Sequence, residues 1–274
     1  MYRVIKVLNN NGILAYDMEN GREMIFLGKG VGFGKRNGER FAEAGDASAY
    51  AAEPRKGQGT ALKAVNGIEP VFLEVTGRII DEAEKQFSSL NRDILLPLAD
   101  HIALAVQRAK EGREFPNPFN QDIRAMFPRE YAAAEQGRQI IEEATGQRIS
   151  EDEAGLITLH IHAALSDEKV EESLTAARLV KTGVAMIEER FGVVLPPDSL
   201  AYNRLVSHIR YMIFRIMRDE QVSLNLEDYA RESFPASYGL AEEICGYFER
   251  ELKKPIRREE VGFLGIHIER VAQM

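Results

Sequence analysis

The chain repeats itself with an offset of 107 residues. His101-Ile102 falls on His208-Ile209, Phe127-Pro128 on Phe234-Pro235, and Tyr131 on Tyr238. Glu153 falls on Glu260, Gly155 on Gly262, and His160-Ile161 on His267-Ile268, with no gap between these landmarks. A unit this long exceeds the roughly 20–45 residues of a solenoid repeat. It reads as two tandem domains, 67–171 and 174–274. Apolar residues recur at three- and four-residue intervals through 71–88, 93–112 and 128–145, which predicts an all-α body. Phe-Pro-x-x-Tyr opens a helix in each copy, because proline's fixed φ and missing N–H suit a first turn.

The first 40 residues follow another rule. Short apolar runs at 2–8, 12–16 and 23–27 are punctuated by Asn11-Gly12, Asn20-Gly21 and Asn37-Gly38. Asn-Gly accepts positive φ at hairpin centres, so four short antiparallel strands are expected. A sheet so small buries little surface alone, and dimerisation is the expected remedy. Residues 41–66, rich in Ala, Gly and charge, read as a strand end plus linker. The predicted architecture is thus an α+β multidomain chain: a β head within 1–60 and two helical-bundle domains.

Charge divides along the same line. Residues 1–40 carry seven cations and four anions, so the net −8 of the chain leaves −11 on the remainder. A basic head on an acidic body suits a nucleic-acid module attached to domains that do not bind nucleic acid. The single cysteine, Cys245, cannot form an internal disulfide and is expected in the core of a helix at 239–252. The absence of a signal-like N-terminus or a long apolar span points to the cytoplasm, without membrane insertion.

Four of the five histidines form equivalent pairs: His101 with His160 and His208 with His267, each 59 residues apart. They are either structural residues inherited with the duplication or groups with a chemical task. Metal binding is disfavoured, because His160 and His162 point roughly 200° apart on a helix. Acid–base catalysis lacks a nucleophile motif or carboxylate pair. The run Gly28-x-Gly30-x-Gly32-x-Gly34 precedes no helix pattern and so offers no nucleotide site. No catalytic residue, metal or cofactor is expected. What remains is phosphorylation, since neutral imidazole is nucleophilic near pH 7 and the product carries close to two negative charges. Arg108 and Arg215, seven residues after the first histidine of each pair, are either phosphate partners or, more simply, solvated charge.

These residues resemble the BglG/SacY family of transcriptional antiterminators. Lys6-Val-Leu-Asn-Asn-Asn11 and Gly28-Lys-Gly-Val-Gly-Phe-Gly-Lys-Arg36 match its co-antiterminator RNA-binding domain. Asp100-His101-Ile102, Leu159-His160-Ile161, Ser207-His208-Ile209 and Ile266-His267-Ile268 match two PTS regulation domains. Gly28–Lys35 and the stretch from Leu159 to Leu165 look most like the glucose-type member. The resemblance implies a homodimeric head that binds an RNA hairpin overlapping a terminator, so that transcription continues. It assigns RNA contact to Lys6, Asn9, Asn11, Gly28, Lys29, Gly30 and Phe33. Lys6 and Lys29 suit phosphates, the asparagines suit base edges, the glycines allow close backbone approach, and Phe33 suits stacking. The plainer alternatives are a turn at Asn9–Asn11 and a core role for Phe33.

The resemblance also implies that a sugar-specific enzyme II phosphorylates His101 and His160 when sugar is absent, inactivating the protein. In many members HPr phosphorylates the equivalents of His208 and His267 and activates it. Three other readings stand beside this one. They are a β-glucoside or sucrose antiterminator, a DNA-binding activator with the same regulatory domains, and a phosphotransfer relay.

Overall fold

The computed structural model describes residues 1–52, 60–87, 89–166, 168–222 and 224–273. Residues 53–59 of the expected linker, and Ser88 at the end of the first expected helix, lie outside them. The head is an antiparallel sheet of β1 (Tyr2–Asn9), β2 (Gly12–Asp17), β3 (Arg22–Leu27), β4 (Arg40–Phe41) and β5 (Ser48–Ala51). Their order is β4-β1-β2-β3-β5. The expected fourth strand is thus two strands, one on each edge. β5 and the helix α1 (Ala61–Asn66) both lie in the stretch read as linker. Composition misled there, because a single residue decides the placement of β5: Tyr50 is fully buried.

Asn11-Gly12 and Asn20-Gly21 fall where β1 turns into β2 and β2 into β3, antiparallel neighbours as the hairpin reading expects, whereas Asn37-Gly38 precedes β4, which pairs with β1 and not β3. Gly21 and Gly38 sit at φ 68° and 86°, whereas Gly12 pairs with Asn9 inside the ladder and is not left-handed. The β2–β3 turn is closed by Asp17, whose Oδ2 accepts from Asn20 Nδ2 at 2.7 Å.

Both sheet faces are apolar. Val4, Ile13, Ala15, Met24, Phe26 and Phe41 cluster on one face. Leu14, Ile25, Leu27 and Tyr50, on the other, join the core of α1 and α2 (Pro70–Glu84). One face of the small sheet is therefore covered by helices of its own chain. Tyr50 pins it to α2, its hydroxyl 3.4 Å from the Gly77 carbonyl oxygen and 3.3 Å from Asp81 Oδ1.

The helices continue as α3 (Leu95–Glu111), α4 (Asn120–Met126), α5 (Pro128–Thr145), α6 (Glu151–Leu165), α7 (Val170–Phe191), α8 (Leu200–Met217), α9 (Glu227–Ser233), α10 (Pro235–Leu252) and α11 (Arg258–Ala272). The offset of 107 carries α4 onto α9, α5 onto α10 and α6 onto α11, residue for residue. Both Phe-Pro-x-x-Tyr motifs start helices as expected, at Pro128 and Pro235. Gly112 ends α3 in the left-handed region, at φ 62°.

Two compact units result: Met1–Asn117 with Arg129–Val170, and Pro118–Pro128 with Glu171–Met274. The short segment 118–128, which carries α4, belongs to the second unit although it lies in the first sequence copy. There α4 packs against α8, whereas its counterpart α9 packs against α10 and α11. Tyr202 donates to the buried Asp122 Oδ1 at 2.7 Å, and Lys181 Nζ donates to the Pro118 carbonyl at 2.6 Å. Cys245 is buried in α10, and burial pushes its thiol up to about 12, which makes it inert.

Candidate functional site

In the first copy α3 presents His101 and α6 presents His160, bringing residues 59 apart to a ring-centroid distance of 5.3 Å. His160 is buried at 5% exposure, and the His101 side chain is 16% exposed. Glu153, one α6 turn pair before His160, is the anion of this site. Its Oε2 lies 3.2 Å from His101 Nε2. Its Oε1 accepts from Arg108 Nε at 3.0 Å and Nη2 at 2.6 Å. Burial alone would raise the Glu153 carboxyl, but His101 and Arg108 outweigh it and hold it below the usual range. His162 points elsewhere, as helix geometry requires. It is clamped between Glu130 Oε1 at 3.0 Å and Glu168 Oε2 at 2.9 Å.

The second copy uses the same scaffold with different electrostatics. His208 on α8 and His267 on α11 are stacked, with centroids 3.4 Å apart and planes at 20°. His208 is exposed and His267 half-buried. Glu260 gives both oxygens to Arg215, each at 2.7 Å, and among the described residues the histidines have no carboxylate partner. Burial, then Arg270 and Arg215, lowers His208. Burial, His208 and Arg270 bring His267 down to about 4. Both rings are neutral near pH 7 and keep a nucleophilic lone pair. Arg108 and Arg215 are therefore not solvated charge: each is committed to the glutamate of the adjoining helix, half-sheltered from water.

In the head, Lys29, Gly30 and Phe33 are exposed on the loop after β3. Phe33 is 76% exposed, so the core alternative is wrong for it. Gly28 packs so closely that an added Cβ would lie 2.7 Å from the Ala47 Cα. Lys6, Asn9 and Asn11 are engaged within the chain. Lys6 Nζ donates to Asn66 Oδ1 at 2.6 Å. Asn9 Oδ1 accepts from the Asn11 N–H at 2.8 Å, so the turn reading holds as well. The side-chain amides of Asn9 and Asn11 donate to the two oxygens of Glu74 on α2. Asn11 Oδ1 accepts from the Gly30 N–H at 3.0 Å and ties the two head motifs together.

Residues 77–164 and 182–271 match the PRD domain, and residues 2–55 match the CAT RNA binding domain. The chain belongs to the BglG/SacY family of transcriptional antiterminators. This antiterminator is 30% identical over 273 residues to the PtsGHI operon antiterminator of Bacillus subtilis, covering 98% of this chain and 97% of that one. It is 28% identical over 276 residues to the Beta-glucoside operon antiterminator of Dickeya chrysanthemi, covering 98% and 96%. The crystal structure of GlcT CAT-PRDI superposes with a TM-score of 0.52 at 32% identity, covering 60% of this chain and 98% of that chain. The antiterminator is a transcription regulator, not an enzyme. Among its described residues no helix is long and apolar enough to cross a membrane, and no cluster of His, Cys, Asp or Glu is arranged to hold a metal.

Glu153 and Glu260 were visible in the sequence as repeat landmarks, although their pairing with the arginines 45 residues earlier was not. Glu74 and the clamp on His162 gave no sequence signal, because nothing in the chain's periodicity distinguishes them.

Proposed function

We propose that this antiterminator binds an RNA hairpin overlapping the terminator in the leader of a glucose-type PTS operon. We propose further that phosphorylation of His101, His160, His208 and His267 governs that binding. The observation that carries the switch is the pairing of these rings in both copies. A phosphoryl group on His101 would bring its charge against Glu153, a contact now 3.2 Å long, and the carboxylate could then no longer serve Arg108. The first pair is thus sheltered and coupled to an internal ion pair. The second pair is open and uncoupled from its glutamate. This asymmetry suits a negative switch through a sugar-specific enzyme II in the first copy and direct access for HPr in the second.

For RNA, the exposed Lys29, Gly30 and Phe33 support a phosphate-and-stacking surface, with Gly28 holding the loop close to Ala47. Lys6, Asn9 and Asn11 complete it once Asn66 and Glu74 release them. A homodimeric head in the cytoplasm is part of this reading. The glucose assignment is supported by the Gly28–Lys35 motif and by the likeness to the PtsGHI operon antiterminator. A gel shift of the full chain tests both levels. It should retard a glucose-permease leader hairpin in preference to a β-glucoside leader hairpin, and should not retard duplex DNA of the same sequence. Preference for the β-glucoside hairpin would overturn the sugar assignment, and binding to DNA alone would overturn the RNA reading. Replacing His101 and His160 with Ala should leave antitermination active without sugar. A double variant that still shuts off removes the negative switch.

A further inference from the structure

The second copy carries two cations that the repeat does not carry in the first. His267 lines a cavity of about 200 Å³ between α8 and α11, shared with Arg204, Arg270, Leu200 and Leu205. Arg204 stands in the second turn of α8, and Arg270 in the last turn of α11. Both arginines are exposed, and among the described residues neither is paired with a carboxylate. Arg215, in the neighbouring cavity, differs in that both of its contacts are given to Glu260. The repeat places Pro97 and Ala163 where Arg204 and Arg270 stand, so the first copy has no cation at either position. Two uncommitted guanidiniums lining one cavity repel each other, and facing a neutral imidazole relieves none of that repulsion. An oxyanion between them does, because each planar fork can hold two oxygens.

We infer that this cavity is the seat of the phosphoryl group borne by His267, with Arg204 and Arg270 as positioning residues that hold its oxygens. The inference rests on the phosphohistidine switch proposed above. In the transfer, a ring nitrogen of His267 bonds to phosphorus as the N–P bond of a donor phosphohistidine breaks. The proton lost by the His267 ring is made good, through solvent, on the departing donor imidazole. The new dianion then bridges the start of α8 to the end of α11, so that modification braces this pair of helices.

The test uses the full chain and phosphoramidate, a small donor whose P–N bond breaks with release of ammonia. Mass spectrometry follows label at each histidine, and melting temperature is read before and after. Wild type should label His267 and melt several degrees higher afterwards. The double variant Arg204→Gln/Arg270→Gln should label His267 more slowly by about tenfold or more and lose the rise, with His101 labelling unchanged. Arg204→Lys/Arg270→Lys should recover part of both, and carries the test if the Gln variant does not fold. No label on His267 in wild type, or equal labelling and an equal rise in the variants, overturns the inference. Unlabelled protein titrated with inorganic phosphate separates the two sources of the anion. A full melting rise without label would make this a free-phosphate site instead. Label from phosphoramidate but none from a phosphohistidine carrier would sink the regulatory reading and leave the cavity assignment standing.

Discussion

His162 and His267 sit at similar depths yet titrate in opposite directions. Burial disfavours charge on both. At His162 the hydrogen bonds to Glu130 and Glu168 outweigh it and hold the ring above its ordinary 6.5. At His267 no carboxylate of the described residues intervenes, and burial, His208 and Arg270 all push down, to about 4. The linkage signs follow. The His162 clamp contributes stability that is fully present below pH 6.5 and is lost as pH rises through its folded value. The neutral His267 contributes stability that is present above pH 6.5 and is lost as pH falls toward about 4. Ring-proton NMR should therefore show His162 titrating above 6.5 and His267 near 4; a His267 midpoint at 6.5 would contradict its burial and its arginine neighbour. The second copy has a different pair at these positions: Ser237 and Glu269 stand where Glu130 and His162 do, and the serine hydroxyl donates to Glu269 Oε2 at 2.7 Å. Glu153→Ala should cost about 3–5 kcal/mol in urea unfolding, because it leaves Arg108 sheltered without its anion. A loss below 1 kcal/mol would mean that water replaces the carboxylate freely.

Among the elements, α2 does most to position the head. It meets the sheet through Tyr50 and Leu27 and reaches the two asparagines through Glu74. Tyr50→Ala should cost about 3–5 kcal/mol, as large-to-small changes at filled aromatic sites do, and calorimetry would register it as a lower melting temperature for the first unit. Glu74 acts on function instead. Its carboxylate holds the amide donors that an RNA base edge would need, and it places a negative charge where a phosphate backbone must approach. Glu74→Ala should tighten hairpin binding severalfold and make it less sensitive to the phosphorylation state. Unchanged or weaker binding in a titrated gel shift would show that these amides are not part of the RNA surface. The helix spans were legible in advance, since α5 begins and ends where the Phe-Pro motif and the 3.6 period place it. β5 was not, because Ser48-Ala-Tyr-Ala51 is too short and too alanine-rich to declare a strand until Tyr50 finds its pocket on α2.

At the scale of the molecule, the duplication is symmetric in sequence and asymmetric in packing. Three helix pairs coincide residue for residue under the offset, yet α4 docks on α8 while α9 stays on its own copy's helices. Asp122 is the polar link in that docking. It is buried, its carboxyl is raised by burial in spite of the Tyr202 hydrogen bond, and its Oδ1 has that hydroxyl at 2.7 Å. Tyr202→Phe removes the donor and leaves a buried carboxyl short of a partner, at a cost of about 1–3 kcal/mol. Hydrogen exchange should then accelerate in residues 118–128 ahead of the rest of the second unit. Exchange that rises evenly through that unit would mean the segment is held by apolar packing alone.

Periodicity, the 107-residue repeat and the charge division were enough to establish a small β head, two copies of one helical domain, and four matched histidines. These are properties of spacing and composition, and each can be read along the chain without knowing which residues meet in space. Tertiary structure alone decided what surrounds the histidines. Glu153 faces His101 while Glu260 turns wholly to Arg215, and two arginines without a carboxylate partner among the described residues line the cavity of His267. It also decided that Glu74 covers Asn9 and Asn11. The physical reason is that a local pattern reports which face of a helix is buried, but the direction in which a carboxylate turns depends on partners tens of residues away.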